Sequence, residues 1–224
     1  MLQVNALNKS YGRRTVLKDV HFSVSPSQVV GLVGENGAGK STLLEILATL
    51  TKPDDGTLSY KGLQYGKDEK KLRKQIGFVP QDIALWEDFS VKENMLFFEK
   101  LSWVKRNKQE LRALLEEVKL DRWKEKVTQL SGGMRRKLNL AISLIHDPDL
   151  ILLDEPTTGI DLKSSKEIGS YLHNQAKQAN KTVVYTSHDM SEIMDICDQV
   201  FFIGEDPFYE EILTASGQEV VRLM

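Results

Sequence analysis

Cysteine is nearly absent from the sequence, since Cys197 is the only one among 224 residues. A single thiol cannot form an internal disulfide or a cysteine-based zinc cluster, so both kinds of cross-link are excluded. Cys197 lies between an isoleucine and an aspartate near the end of the chain. We expect it to fill space in a core.

Long apolar runs are also missing. No stretch approaches the roughly 18 consecutive apolar residues that a membrane-spanning helix needs. The N-terminal MLQVNALNKSYGRR lacks the apolar segment of a secretory signal peptide. We therefore expect any membrane role to come through a partner protein.

The charge is almost balanced, with 30 Lys and Arg against 32 Asp and Glu. A formal net charge of -2 gives no electrostatic reason to expect capture of nucleic acid, and none is expected as a partner. The chain has no internal repeat and no Pro/Gly-rich linker. A length of 224 residues then favours one α/β domain over residues 1–224.

Apolar periodicity divides the chain into regions. Short β-type runs at 2–7, 20–24, 29–33, 57–60 and 76–79 predict a strand-rich first third. From 91 to about 127 the spacing becomes helical, and Leu111, Leu114, Leu115 and Val118 share one helix face. We expect a helical lobe there, inserted at approximately 82–140.

A helix is predicted to begin at Ser131 and to end at Asp147-Pro148, with Met134, Leu138, Ala141, Ile142 and Ile145 at helical spacing. Two continuous apolar strands follow at 150–153 and 182–185, with a helix between them. Such runs are typical of parallel strands that are covered on both faces. The order predicts a doubly wound α/β core with right-handed crossovers.

The clearest motif is GENGAGKST at 34–42, which follows the strand at 29–33 and leads into an apolar helix. This is G-x4-G-K-[ST] in its strand-loop-helix context, so it predicts a nucleotide phosphate site. The glycines let successive N–H groups face a phosphate at a helix N-terminus. We assign the β- and γ-phosphates to Lys40, Mg²⁺ to the Ser41 hydroxyl and a further phosphate contact to Thr42. The whole set is Gly34, Glu35, Asn36, Gly37, Ala38, Gly39, Lys40, Ser41 and Thr42.

Two carboxylates follow the strand at 150–153, where ligands of open α/β sheets bind. We expect Asp154 to hold Mg²⁺, directly or through water. Glu155 should point elsewhere because side chains alternate along a strand, and it is placed to activate the attacking water. For this fragment alone, two surface acids after a core strand would be the preferred interpretation, and the phosphate loop counts against it.

Phosphate loops also serve kinases, GTPases, helicases and motors, so a discriminating segment is needed. TKPD at 51–54 is similar to the guanine-reading segment of GTPases, but it directly follows the phosphate-loop helix and is interpreted as a turn. LSGGM at 130–134 resembles the LSGGQ signature of the ABC ATPase family and stands before Asp154-Glu155, as in that family. The resemblance covers essentially the whole chain.

The resemblance implies roles for further residues. Tyr11 resembles the aromatic that stacks on adenine, although a lone tyrosine is also common on surfaces and in cores. Gln81 resembles the glutamine that contacts Mg²⁺ and the attacking water, and Asp161 an aspartate at the dimer interface. His188 resembles the switch histidine that contacts the γ-phosphate. Ser131, Gly132 and Gly133 make an anion site at a helix N-terminus that, in the family, covers the γ-phosphate of a second subunit.

The resemblance also implies an architecture and partners. The fold class is α/β: a P-loop NTPase core with a mainly parallel sheet, an N-terminal antiparallel β subdomain and a helical signature subdomain. The implied function is an ATP-binding and ATP-hydrolysing subunit, with ATP and Mg²⁺, in a homodimer or related heterodimer beneath a separate transmembrane permease. Its place is then the cytoplasmic face of a membrane, held there through the permease.

Some positions depart from the family pattern. Met134 stands where glutamine is usual, and Leu162 where many relatives have proline. GMRRKL and EPTTGID are similar to exporter-type members, and the tail after 204 lacks the usual continuation, so we expect no accessory regulatory domain. The alternatives are a soluble ABC ATPase outside transport, a non-hydrolysing regulatory module and a small-molecule kinase. Intact Glu155 and His188 count against the second, and the kinase has no counterpart of the signature.

Overall fold

The computed structural model describes residues 1–204, 206–215, 217 and 220–223. The described strands are β1 (Leu2–Tyr11), β2 (Arg14–Val24), β3 (Val29–Val33), β4 (Asp55–Tyr60), β5 (Leu63–Gln64), β6 (Ile76–Val79), β7 (Leu150–Leu153), β8 (Thr182–Thr186), β9 (Gln199–Phe202) and β10 (Val220–Arg222). The described α-helices are α1 (Lys40–Leu47), α2 (Glu69–Gln75), α3 (Val91–Leu101), α4 (Lys108–Glu117), α5 (Gly132–Ser143), α6 (Leu162–Ala179), α7 (Met190–Ile196) and α8 (Pro207–Ala215).

The N-terminal sheet is antiparallel, in the order β2-β1-β4-β5. Leu2, Val4 and Leu7 of β1 are buried, and the ladder shifts register between Val4 and Leu7, where Ala6 has φ 50°. The predicted strand at 2–7 is therefore the first half of a longer one. The polar segment KSYGRRT gave no alternation signal, so the β1–β2 hairpin around Gly12 was missed.

The second sheet is parallel throughout, in the order β10-β9-β3-β8-β7-β6. Alternate residues of its central strands face two different cores. In β7, Leu150 and Leu152 pack with α1, α2 and the antiparallel sheet, whereas Ile151 and Leu153 pack with the helices from α3 to α8. The prediction of a two-sided α/β core is confirmed.

The helical lobe contains α3 and α4, and α5 connects it to the core. Its two leading helices begin with reciprocal capping boxes, Ser90 with Glu93 on α3 and Asn107 with Glu110 on α4. Such caps satisfy backbone N–H groups that have no partner within the helix. The predicted face of Leu111, Leu114, Leu115 and Val118 is buried, as expected.

The predicted end of the signature helix was wrong. It ends at Ser143, before Asp147-Pro148, and Asp147 takes a left-handed backbone with φ 55°. Ile145 is still buried, because the turn after the helix folds back onto the core. Apolar spacing alone could not distinguish that turn from one more turn of helix.

Three further expectations concern short segments. Residues 51–54 form neither helix nor strand and connect α1 to β4, and Asp54 pairs with Lys9 at 3.0 Å. Cys197 is buried with 7% exposure. The tail contains α8 and β10, which extends the parallel sheet. The expectation about the tail falls partly on Glu205, Ser216, Gln218, Glu219 and Met224, which lie outside the described residues.

Candidate functional site

Four adjacent strands of the parallel sheet end at one cleft. β3 leads into the phosphate loop, β8 into His188, β7 into Asp154-Glu155 and β6 into Gln81. The cleft has a volume of about 460 Å³. Its lining comprises Tyr11, Arg14, Val16, Asn36, Gly37, Gly39, Lys40, Ser41, Thr42, Gln81, Glu155 and His188.

The phosphate loop depends on its glycines for shape. Gly37 and Gly39 have φ values of 82° and 110°, in the region that side-chain-bearing residues avoid. A Cβ on Gly39 would lie 2.9 Å from Leu17 Cδ2, and one on Gly34 would lie 1.9 Å from the Ile203 carbonyl oxygen. The loop is therefore packed against its neighbours on one side, which leaves its other side open to the cleft.

Lys40 is held inside this loop. Its ammonium donates hydrogen bonds to the carbonyl oxygens of Gly34 at 2.8 Å and Glu35 at 3.0 Å. Burial lowers the pKa of Lys40, while the charges of Glu155 and Asp154 act in the opposite direction. The cation thus lies between the loop and two carboxylates, where a phosphate would be bound by charge.

Asp154 is 7% exposed and lies behind the wall of the cleft. Its Oδ1 accepts a hydrogen bond from the Thr186 hydroxyl at 2.8 Å, and that hydroxyl oxygen accepts the backbone N–H of Glu155 at 2.9 Å. Thr186 is fully buried and fixes both acidic positions at once. Sequence reasoning missed it, because a threonine that ends a β-branched run carries no distinct signal.

Glu155 makes three side-chain contacts. Its Oε2 accepts from Gln81 Nε2 at 2.9 Å and from the Thr158 hydroxyl at 3.1 Å, and its Oε1 lies 2.5 Å from His188 Nε2. Gln81, Glu155 and His188 are therefore in contact, whereas Lys40, the fourth residue predicted for catalysis, contacts the phosphate loop. Alternation along a strand was predicted to point Glu155 away from Asp154, and this reason was wrong, because β7 ends at Leu153. Glu155 instead has a left-handed backbone with φ 47°, which directs its side chain differently from that of Asp154.

The signature residues lie outside the lining of this cleft. Ser131 caps α5 by accepting the Met134 N–H at 3.3 Å, and Ser131 and Gly132 are exposed. Gly133 is buried, and a Cβ there would lie 2.3 Å from Ser164 Oγ. The phosphate contacts expected of Gly132 and Gly133 stay predictions, and the structure adds a packing role for Gly133 against α6.

Four further predicted residues occupy different positions. Tyr11 lies at the rim of the cleft with 49% exposure, and Lys9 Nζ lies 5.2 Å from its ring centroid. Asp161 caps α6 by accepting the Ser164 N–H at 3.0 Å. Glu35 and Ala38 belong to the loop but are absent from the cleft lining.

Arg14 is a lining residue that sequence reasoning missed. Its Nη2 donates to the Gly37 carbonyl oxygen at 3.1 Å, which brings a second cation to the phosphate loop from β2. Val16, two residues further along β2, adds an apolar contact to the same wall. The only signal for Arg14 in the sequence was that it lies close to Tyr11. That signal identifies a cleft residue only when the pairing of β1 with β2 is already known.

The donors available for Mg²⁺ are oxygens. The carboxylate of Asp154, the hydroxyl of Ser41 and the amide of Gln81 suit a hard cation that commonly takes one or two protein ligands and completes its shell with phosphates and water. Among the described residues, no cluster of three or more His, Cys, Asp or Glu side chains can hold a metal alone. The buried carboxylate of Asp154, close to Lys40, therefore fits a metal ion that would bind as a complex with a nucleotide.

Comparison with known proteins agrees with this geometry. Residues 17–158 match the family described as ABC transporter. The chain is 38% identical over 208 residues to the linearmycin resistance ATP-binding protein LnrL of Bacillus subtilis, covering 92% of this chain and 67% of that protein. It is 38% identical to Nod factor export ATP-binding protein I of Rhizobium etli, covering 87% and 62% respectively. The chain thus spans about two thirds of the length of these relatives.

Solved structures show the same architecture. The ATP-binding cassette MJ0796, in a dimeric post-hydrolysis state bound to ADP and Pi, gives a TM-score of 0.79 at 27% identity and covers 91% of this chain and 94% of that one. The structure of cbiO1 from Clostridium perfringens gives a TM-score of 0.79 at 28% identity, covering 90% and 84%. In the described part of this chain, no helix is long and apolar enough to cross a bilayer.

Proposed function

Because the chain belongs to the ABC transporter family of ATP-binding proteins, we propose that it hydrolyses ATP as one of two cassettes beneath a separate permease, in an exporter. The observation that carries the proposal is the meeting of Lys40, Gln81, Glu155 and His188 at one cleft, with Asp154 behind it. The linearmycin resistance and Nod factor export names belong to two relatives, and they favour the outward direction.

The chemistry at the cleft is attack of water on the γ-phosphorus. Glu155 accepts a proton as the water oxygen forms its bond, and the bond from the γ-phosphorus to the bridging oxygen breaks to leave ADP and phosphate. Lys40 and His188 donate to the oxygens on which negative charge develops. Mg²⁺, held by Ser41, Asp154 and Gln81, would neutralise phosphate charge.

The contacts of Glu155 indicate which interactions must change when a nucleotide binds. Both carboxylate oxygens are in contact with Gln81, His188 or Thr158. These partners fill three of the roughly four positions at which the carboxylate can accept a hydrogen bond, so release of His188 would leave Oε1 open to the catalytic water. We propose that the γ-phosphate attracts His188 away from Glu155, which couples activation of the base to the presence of ATP.

A second cassette would complete the site. Ser131 and Gly132 are exposed at the N-terminus of α5 and lie outside the cleft lining of their own chain. Backbone N–H groups at a helix N-terminus bind anions. We propose that they contact the γ-phosphate held by the phosphate loop of the partner, in a homodimer or a related heterodimer.

An aromatic stripe supplies the surface for the permease. Trp86, Phe89 and Phe97 are 53%, 38% and 36% exposed, and Trp86 lies 5.9 Å from Phe89 and 5.8 Å from Phe97 between ring centroids. Buried Asn94 fixes this segment by exchanging hydrogen bonds at 3.0 Å with both backbone groups of Trp86. We propose that a cytoplasmic segment of the permease covers the stripe, which would hold the protein at the cytoplasmic face of a membrane.

Affinity purification from detergent-solubilised membranes tests the proposal. The bait is the Glu155→Gln variant with ATP and Mg²⁺, which should bind nucleotide without turning it over. We expect a multi-span membrane protein at near-stoichiometric yield, identified by mass spectrometry. A matched bait that also carries Phe97→Ser should recover less of it.

Two results would contradict the proposal. Recovery of soluble proteins alone would favour an ABC ATPase outside transport. Sustained ATP hydrolysis by Glu155→Gln would overturn the assignment of the base.

A further inference from the structure

Glu192 is a buried carboxylate that the proposed reaction does not use. It lies on α7 with 8% exposure, and hydroxyl groups of Thr157, Ser165 and Ser187 donate hydrogen bonds to it. Thr157 donates to Oε2 at 2.8 Å, Ser187 to the same oxygen at 2.7 Å, and Ser165 to Oε1 at 2.8 Å. No ion pair with Glu192 is present within the described ranges. A carboxylate removed from water is costly unless hydrogen bonds replace its hydration, and here three hydroxyls do so.

The three hydroxyls come from three different segments of the site. Thr157 stands two residues after Glu155, and Ser187 directly precedes His188. Ser165 lies in the first turn of α6, whose cap is Asp161. One side chain therefore connects the segment of the base, the segment of the switch histidine and the helix after Asp161.

The same helix end also contacts the signature. Ser164 precedes Ser165, and its side chain occupies the space above Gly133, where an added Cβ would lie 2.3 Å from Ser164 Oγ. Ser164 is itself fixed by Asp161, to which its hydroxyl donates at 2.7 Å. The first turn of α6 thus packs on the signature helix and reaches Glu192 through the next residue.

We propose that Glu192 is a positioning residue that holds the His188 segment and the first turn of α6 in one fixed arrangement. It links the cleft of a cassette to the signature that the same cassette presents to its partner. This inference rests on the proposed function, in which the two surfaces serve different nucleotides. Glu192 lies outside the lining of the cleft, so we expect it to act without touching the nucleotide.

Glutamine at this position separates positioning from binding. Its amide nitrogen cannot accept hydrogen bonds, so either the pair Thr157 and Ser187 or the single Ser165 loses its acceptor. A displacement of about 1 Å in a catalytic group can cost on the order of a hundredfold in rate. We expect Glu192→Gln to lower kcat about tenfold to a hundredfold, with the KM and Kd for ATP unchanged within about twofold because Lys40 and its loop are untouched.

The test measures kcat, KM and ATP binding for the full-length chain. Its matched control is Asp195→Asn, an exposed carboxylate on the same helix, which should leave all three values unchanged. A kcat for Glu192→Gln equal to that of the parent overturns the inference, and so does an equal loss in kcat and in ATP affinity. A parent protein that binds ATP without hydrolysing it contradicts the proposed function instead.

A second variant keeps the test decisive if Glu192→Gln does not fold. Ser165→Ala removes one hydroxyl near the surface, and we expect it to lower kcat severalfold with ATP binding intact. Where both single variants fold, the double variant should lose no more than the larger single effect, since contacts within one network are not additive. A Ser165→Ala kcat equal to that of the parent, or fully multiplicative losses in the double variant, would show that the link to α6 plays no part.

Discussion

Gly132 and Gly133 are neighbours at the start of α5, but the space around them differs. Outside its chain neighbours and the backbone of its own helix, a Cβ built on Gly132 would meet its nearest atoms, including the Gly159 oxygen, at 3.8 Å, which is an ordinary contact. A Cβ built on Gly133 lies 2.3 Å from Ser164 Oγ and 2.6 Å from Ser164 Cβ. Alanine at each position therefore tests two different requirements of the signature.

The cost of Gly133→Ala follows from this overlap. Carbon atoms pack best about 3.5–4.0 Å apart, so α5 and α6 must separate by about 1 Å. Overpacking of this kind costs about 1–3 kcal/mol, and the displaced Ser164 hydroxyl can also lose its bond to Asp161. Gly132→Ala should leave the free energy of unfolding unchanged or raise it by up to about 1 kcal/mol, because alanine favours helix.

Thermal and chemical denaturation measure the difference. For a chain of this size, about 1 kcal/mol shifts Tm by roughly 2–4 °C, so Gly133→Ala should lower Tm by roughly 2–12 °C. Gly132→Ala should instead retain Tm or raise it by up to roughly 4 °C, and it should lose ATPase activity if its open side faces the phosphate of the partner. Ser164→Gly, which removes both overlapping atoms, should recover part of the stability lost in Gly133→Ala.

The expected order would be refuted by equal Tm values for the two alanine variants. It would also be refuted by a Ser164→Gly background that restores none of the loss. In either case the close contact between α5 and α6 would not be what requires a glycine at 133.

Three further outcomes are expected. Arg14→Ala should weaken ATP binding about threefold to tenfold, as measured by nucleotide titration, because it removes a cation from the phosphate loop. The control is Arg13→Ala, which removes the same charge outside the cleft lining and should change ATP binding little. Equal effects of the two variants would show that Arg14 is not part of the site. Thr186→Val keeps the side-chain volume but leaves Asp154 Oδ1 without its hydroxyl donor, so kcat should fall at least tenfold and the free energy of unfolding by about 1–3 kcal/mol in urea denaturation; a fully active variant would contradict this role. Burial raises the pKa of the Cys197 thiol, so iodoacetamide should label it only after unfolding. Rapid labelling of the native protein at pH 8 would contradict the burial of Cys197.

Much of the site could be predicted from local sequence. A phosphate loop is contiguous, so its glycines, lysine and hydroxyls appear together in nine residues. Asp154 and Glu155 were found for a similar reason, since an apolar strand that ends in carboxylates is visible without tertiary information. The strands at 29–33, 76–79 and 150–153 match β3, β6 and β7 at both ends, because strands covered on both faces of a parallel sheet are continuous apolar runs.

The missed features depend on contacts between distant segments. Arg14 and Gly37 are 23 residues apart, and their contact exists only because the β1–β2 hairpin folds over the loop. Thr186 and Asp154 are 32 residues apart. The packing role of Gly133 was hidden because a glycine that approaches a phosphate and a glycine that approaches a serine are identical in sequence.

The strand order also affects how the chain is made. β8 is formed by residues 182–186 but lies between β3 and β7, which are synthesised much earlier. Until β8 inserts, the edges of β3 and β7 that will pair with it have backbone N–H and C=O groups without partners. Unpaired strand edges favour association with other chains. When the phosphate loop, Asp154 and Glu155 have been synthesised, the nascent chain still lacks β8 and His188. Nucleotide therefore cannot meet its complete site until nearly the whole cassette has emerged, so a stalled or truncated product would need chaperone protection and would carry no ATPase activity.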